Sequence, residues 1–131
     1  MEDILKVKKT STTNLFYHFV FVTKHRKPLF LGIEMKDEVH SYLKEAADNK
    51  EIALKGTYVE ADRLDFYATL KPKESITNVV KSFKSTIAKR LVKAHPELEQ
   101  TKIWSSSFYA ETLGNENEEA IENFINKEKR I

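Results

Sequence analysis

Arg63-Leu64-Asp65-Phe66-Tyr67-Ala68-Thr69-Leu70 alternates without a break between two kinds of side chain. Successive residues of a strand leave on opposite sides, so Leu64, Phe66, Ala68 and Leu70 share one face, and Arg63, Asp65, Tyr67 and Thr69 share the other. Such a strand closes an apolar core on one side only, and helices must supply the rest of it. The opposite face is expected to be polar and available. Just upstream, residues 52–59 read as a second strand. The short polar turn Glu60-Ala61-Asp62 joins the two as a hairpin.

Working outward, residues 16–22 form a continuous apolar and aromatic run with β-branched members, bounded by a basic loop and Pro28. They read as a buried strand. Met35, Val39, Leu43 and Ala46, with Tyr42 beside them, recur at helical spacing and predict a helix ending near Asp48-Asn49. Ser75 is placed to cap a further helix whose stripe is Ile76, Val79, Val80, Phe83, Ile87 and Leu91. At 100° per residue Lys81, Lys84, Lys89 and Lys93 fall off that stripe, and Pro96 stops the helix. Residues 103–113 read as extended, Gly114-Asn115 as a turn and 118–129 as a last helix with Ala120, Ile121, Phe124 and Ile125 on its apolar face. Strand, helix, hairpin, helix, strand and trailing helix predict an α+β fold of the ferredoxin-like or RRM-like kind, an antiparallel sheet with helices on one face.

With 131 residues and 40% hydrophobic content, the chain is expected to form a single domain, residues 1–131, with 1–13 as a disordered tail and 14–131 globular. It has no cysteine, which excludes disulfides, thiolate metal sites and a cysteine nucleophile. No apolar run approaches the roughly 18 residues that span a bilayer, and residues 1–9 lack a signal-peptide core. A cytoplasmic protein without a membrane partner is therefore expected.

A net charge of +2 says little about partners, but its distribution is uneven. Lys24, His25, Arg26 and Lys27 form one basic cluster. Lys73, Lys81, Lys84, Lys89 and Arg90 lie between Lys71 and Lys93, opposed only by Glu74. Acidic residues concentrate in 34–51 and 111–128. This division presents a basic face to phosphates in a nearly neutral chain, although solvated lysines on helix surfaces would produce either cluster alone. His18, His25, His40 and His95 show no paired ligand spacing and read as surface or core histidines. There is no glycine-rich phosphate loop and no recognisable serine-histidine-aspartate set.

Four blocks, in order, resemble the single-tyrosine transposases of the His-hydrophobe-His group, the IS200-like type. They are 17–28 (Tyr-His-Phe-Val-Phe-Val-Thr-Lys-His-Arg-Lys-Pro), 58–70, the basic helix 75–98 ending in His95-Pro96-Glu97-Leu98, and Ile103-Trp104-Ser105-Ser106-Ser107-Phe108-Tyr109 followed by Thr112-Leu113-Gly114-Asn115. The resemblance implies a dimer with joined sheets in which one subunit's last helix completes its partner's active site. It also implies that a tyrosine nucleophile and a divalent cation on two histidines would cleave DNA. This chain departs from that pattern. Arg63 and Asp65 stand at the histidine positions, Phe124 stands at the tyrosine, and Glu128 stands where glutamine is common.

A guanidinium repels metal, a lone carboxylate beside it is a poor cation site, and phenylalanine has no oxygen to join to DNA. The resemblance thus implies no catalytic residues, no metal and no cofactor. It leaves a homodimer that binds hairpin or single-stranded DNA or RNA through Lys24, His25, Arg26, Lys27, Arg63, Lys81, Lys84, Lys89 and Arg90, in a regulatory, domesticated role. A mobile-element transposase acting on single-stranded DNA and a dimeric scaffold without nucleic acid remain alternatives. Arg63 and Asp65, two apart on one strand face, are expected to pair with each other or else to leave Arg63 free to grip a phosphate.

Overall fold

The structure, a computed structural model, describes residues 14–112. The expected tail 1–13 and last helix 118–129, with Phe124 and Glu128, lie outside the described residues. Within them the order is β1 (Leu15–Val22), α1 (Gly32–Asn49), β2 (Ala53–Glu60), β3 (Arg63–Leu70), α2 (Ile76–Ala94) and β4 (Tyr109–Thr112). Single 3-10 turns at Lys24–Arg26 and Pro96–Leu98 follow β1 and α2.

The strands form one antiparallel sheet in the order β2-β3-β1-β4, which is the ferredoxin-like arrangement that the element pattern predicts. β3 inserts between β1 and β2 because the hairpin turn, Ala61-Asp62, returns the chain directly into the gap left by the β1-α1-β2 crossover. The register places Phe19 opposite Phe66, Phe21 opposite Leu64 and Tyr17 opposite Ala68 on the face that the helices cover. Phe66 meets Phe19 at 5.0 Å, Phe21 at 5.3 Å and Phe83 of α2 at 5.6 Å between ring centroids. Val39, Leu43, Ala46 and Ala47 of α1 and Val79, Phe83, Ile87 and Leu91 of α2 complete this core. Full burial of each large side chain contributes about 1.5–3 kcal/mol, so this layer is the main source of stability.

Ser75 caps α2 as expected, its hydroxyl accepting from the Asn78 amide at 3.2 Å. α1 begins one turn before the predicted Met35. Ile33 in that first turn is 76% exposed, so it makes no core contact that periodicity would register. Gly32 enters the helix at φ +83, a conformation that glycine alone adopts without strain. The stretch 103–113 is less regular than a continuous strand. Among its described residues, Trp104 bridges to Thr23 and Tyr109–Thr112 pairs with β1 as β4.

Candidate functional site

The second face of the sheet collects the polar members of the alternation. Asp65 lies between Val20 of β1 and Tyr58 of β2, Tyr67 lies opposite His18, and Glu111 and Tyr109 of β4 lie beside His18 and Val20. The expectation that this face is open to solvent is overturned. Arg63 is 5% exposed, and Asp65 and His18 are 0% exposed. The guanidinium Nε of Arg63 lies 3.5 Å from Asp65 Oδ1, so these two residues pair with each other, as one of the two expectations had it. His18 Nε2 is 3.9 Å from Asp65 Oδ2, and its ring stacks on Tyr67 at 4.5 Å and 10°.

Burial, followed by the Arg63 charge, pushes the His18 imidazole down to about 4, so it is neutral at ordinary pH. Burial first, then Asp65 and Tyr58, raises the Tyr67 phenol. Nothing here fits a divalent cation. A guanidinium already lies against the carboxylate that a metal would need, and among the described residues no three His, Cys, Asp or Glu side chains gather to hold one.

His18 is the member of this cluster that the sequence reading missed. Its place in the alternation of β1, between Tyr17 and Phe19, put it on the polar face. Only the register opposite Tyr67 brings it to Asp65.

The basic residues gather at the end of the sheet where β1 leaves and β3 begins. Thr23 donates its amide to the Asp62 carbonyl at 3.0 Å and its hydroxyl to the Lys27 carbonyl at 2.7 Å. The Lys24 amide donates to Ile103 O at 3.0 Å, and Ser105 N to Val22 O at 2.9 Å. Held on both sides in this way, the turn carries His25 at φ 58 and Arg26 at φ 56, each a left-handed conformation that costs a non-glycine residue about 1–2 kcal/mol. Arg26 Nε donates to Asp62 Oδ2 at 2.9 Å. His25, Arg26 and Lys27 are exposed, and Lys24 is half-buried.

The helix lysines divide into two groups. Lys84 is half-buried, its ammonium donating to the Ser105 and Ser107 carbonyls at 2.9 Å each and lying over the rings of Phe21 and Phe108. Trp104 Nε1 donates back to Lys84 O at 3.2 Å. Burial, then Lys102, holds the Lys84 ammonium below its usual range. Lys81, one turn earlier, is exposed beside the same segment. Lys89 and Arg90 instead lie toward α1, where Arg90 is bonded to Glu45. The structure thus brings Lys24, at the start of the basic turn, and Lys81 and Lys84 of α2 against the segment that holds residues 103–107. Lys89 and Arg90 are on another flank, and Arg63 is beneath the surface.

Comparison with known proteins places this geometry in a family. The chain belongs to the family described as "Transposase IS200 like", whose model matches residues 11–128. It is similar to the ISDra2 transposase TnpA of Deinococcus radiodurans, 24% identical over 115 residues that cover 85% of this chain and 81% of that protein. The fold is shared with a crystal structure assigned as a transposase from Deinococcus radiodurans R1 (TM-score 0.74, 24% identity, 93% of this chain and 96% of that one). It is also shared with a REP-associated tyrosine transposase bound to a REP hairpin (TM-score 0.61, 10% identity, 95% of this chain and 68% of that one). Among the described residues no helix is long and apolar enough to cross a membrane.

Proposed function

We propose that this chain is a catalytically inactive, domesticated member of the IS200-like transposase family that binds hairpin or single-stranded nucleic acid, as a homodimer, in a regulatory role. The strongest support for lost chemistry is the Arg63–Asp65 pair. The two residues at the positions where the resemblance implies metal ligands are buried as an ion pair, 3.5 Å apart, with a guanidinium against the carboxylate in place of a metal ion. Removing the need for a metal in this way keeps the sheet intact while leaving nothing to polarise a scissile phosphate. Phe124, at the nucleophile position, supplies no oxygen for a covalent adduct.

Support for retained binding comes from the cationic rim. The turn that carries Lys24, His25, Arg26 and Lys27 starts beside Ile103, Lys81 faces the same segment from α2, and a protein of the same fold is bound to a hairpin. Such side chains position phosphates without reading sequence.

Incubating the purified protein with single-stranded hairpin DNA and magnesium or manganese tests the first half. No nick and no covalent protein–DNA band on a denaturing gel is the expected outcome, and a covalent band refutes inactivity. Binding is tested by titrating hairpins over a range of salt. Affinity is expected to fall steeply with salt, and charge removal at Arg26, Lys27 and Lys81 is expected to lower the slope by about one unit or less per lost contact. Equal changes at Lys36 and Lys44 of α1 and at Lys50, which caps its C-terminus, are expected to leave it unchanged. Binding indifferent to salt and to both sets of changes favours the scaffold reading.

A further inference from the structure

The chain enters α1 through Leu31-Gly32-Ile33, and Leu31 and Ile33, 65% and 76% exposed, are the most exposed large apolar side chains among the described residues. Single exposed apolar residues are ordinary, but these two line one hollow of about 380 Å³. Met35 adds to its apolar wall, Glu34 and Glu38 supply carboxylates, and the lining holds no lysine or arginine. His95, which follows α2, completes it, with Nε2 2.9 Å from Glu38 Oε1 and Nδ1 3.8 Å from Glu97 Oε2. Two contacts fix the hollow in place. The Phe30 amide donates to the Ala61 carbonyl at 2.9 Å, and the His95–Glu38 pair ties the end of α2 to α1.

Apolar side chains beside carboxylates, with no basic residue in the lining, fit a partner that is apolar and basic at once. This sequence contains such a segment. Ile4-Leu5-Lys6-Val7-Lys8-Lys9 combines apolar residues with lysines and has no acidic one. The apolar residues from Ala120 to Ile125 lie among Glu118, Glu119 and Glu122, which would meet Glu34 and Glu38 with like charge.

Reach then selects the copy. β1 begins at Leu15, opposite Leu70, whereas α1 starts at the other end of the sheet, where Phe30 meets Ala61. The eight residues of β1 separate these ends by about 26 Å. From Asn14 back to Val7 a fully extended chain spans about 25 Å at most. Val7, Lys8 and Lys9 therefore fall short of the hollow of their own chain.

We infer that this hollow takes residues 4–9 of a second copy, their apolar side chains against Leu31 and Ile33 and their lysines facing Glu34, Glu38 and Glu97. The contact lies at the entry to α1, apart from any joining of sheet edges, and does not depend on nucleic-acid binding.

The chain has no cysteine, so introduced cysteines report the contact without competition. Full-length Val7→Cys is mixed with isotope-labelled full-length Ile33→Cys under mild oxidation, and the mixed disulfide is followed by mass. Lys44→Cys, at another exposed position of α1, replaces Ile33→Cys to give the background rate. The 7–33 disulfide is expected to form about tenfold or more faster than the 7–44 one. Lys6→Glu with Lys8→Glu in the Val7→Cys chain is expected to bring the rate down to background. Glu34→Lys in the Ile33→Cys chain is then expected to restore part of it, because opposite charges face each other again. Equal 7–33 and 7–44 rates, or a 7–33 rate that charge reversal leaves unchanged, overturn the assignment. A single chain carrying both Val7→Cys and Ile33→Cys is expected to give cross-linked copies, and an intrachain disulfide that persists at high dilution overturns the choice of a second copy.

Discussion

On the helix side of the sheet, Phe66 is enclosed by Phe19, Phe21 and Phe83. On the other side, one residue along the same strand, Asp65 is as deeply buried among His18, Arg63 and Tyr67. Both layers exclude water, but the physics differs. The first is held by apolar area and ring packing, whose contributions add roughly with surface removed from water. The second holds ionic and aromatic groups whose desolvation cost is offset only while each charge keeps its partner. A buried polar layer of this kind adds little net stability, yet it is sensitive to the loss of any one member. At its centre lies the Arg63–Asp65 ion pair, at the positions where the resemblance implies metal ligands.

The two layers are expected to respond differently to truncation. Phe66→Ala is expected to cost about 3–5 kcal/mol, because the ring's transfer energy is lost and the surrounding aromatic side chains cannot close the cavity. Urea unfolding followed by circular dichroism measures it, and a loss under 1 kcal/mol would mean that the aromatic layer is not the core.

Asp65→Ala is expected to cost about 3 kcal/mol, because it leaves the Arg63 guanidinium buried without its carboxylate. The double change Arg63→Met with Asp65→Leu is expected to recover most of that loss, since apolar residues of similar size replace a buried pair at little or no cost. Failure of the double variant to recover would show that the pair contributes more than mutual neutralisation, and the contrast between the two faces would narrow.

The third effect, small near neutral pH and comparable with the second only at the acid end, is a dependence on pH that the apolar layer cannot have. His18 titrates near 6.5 in the unfolded chain and near 4 in the fold, so the unfolded state takes up its proton first as pH falls. The neutral imidazole's contribution is complete above pH 6.5, is lost progressively as pH drops toward 4, and changes no further below that. The loss approaches about 3 kcal/mol at the acid end. Stability curves for the wild type and for His18→Phe, compared over pH 4–7, isolate it. The wild-type curve is expected to fall more steeply, and parallel curves would remove His18 from the buried cluster.

Much of the architecture was legible because it depends on local periods. The alternation in 63–70, the stripe from Ile76 to Leu91, the cap at Ser75 and the stop at Pro96 each reflect a rule acting over a few residues, and all four appear as read. The start of α1 escaped because an exposed first turn leaves no apolar signature. The candidate site was legible only in part. Residue types at 63 and 65, two apart on one strand, were enough to expect an ion pair between them, and the burial of that pair was not. Lys84 read as a surface cation because periodicity places it off the core stripe. Two carbonyls and two rings from distant segments turn it inward instead.

The sequence by itself determined which side chains share a face, where helices and strands lie, and that positive charge clusters in two stretches. Only the tertiary structure decided that Arg63, Asp65 and Tyr67 of the polar face are buried, that His18 meets Asp65, and that the turn at Lys24–Arg26 and Lys81 of α2 border the same segment while Lys89 and Arg90 do not. The reason is physical. A period along the chain fixes direction, but burial and charge pairing depend on what other segments bring to the same place, and strand register and helix packing set those distances across tens of residues.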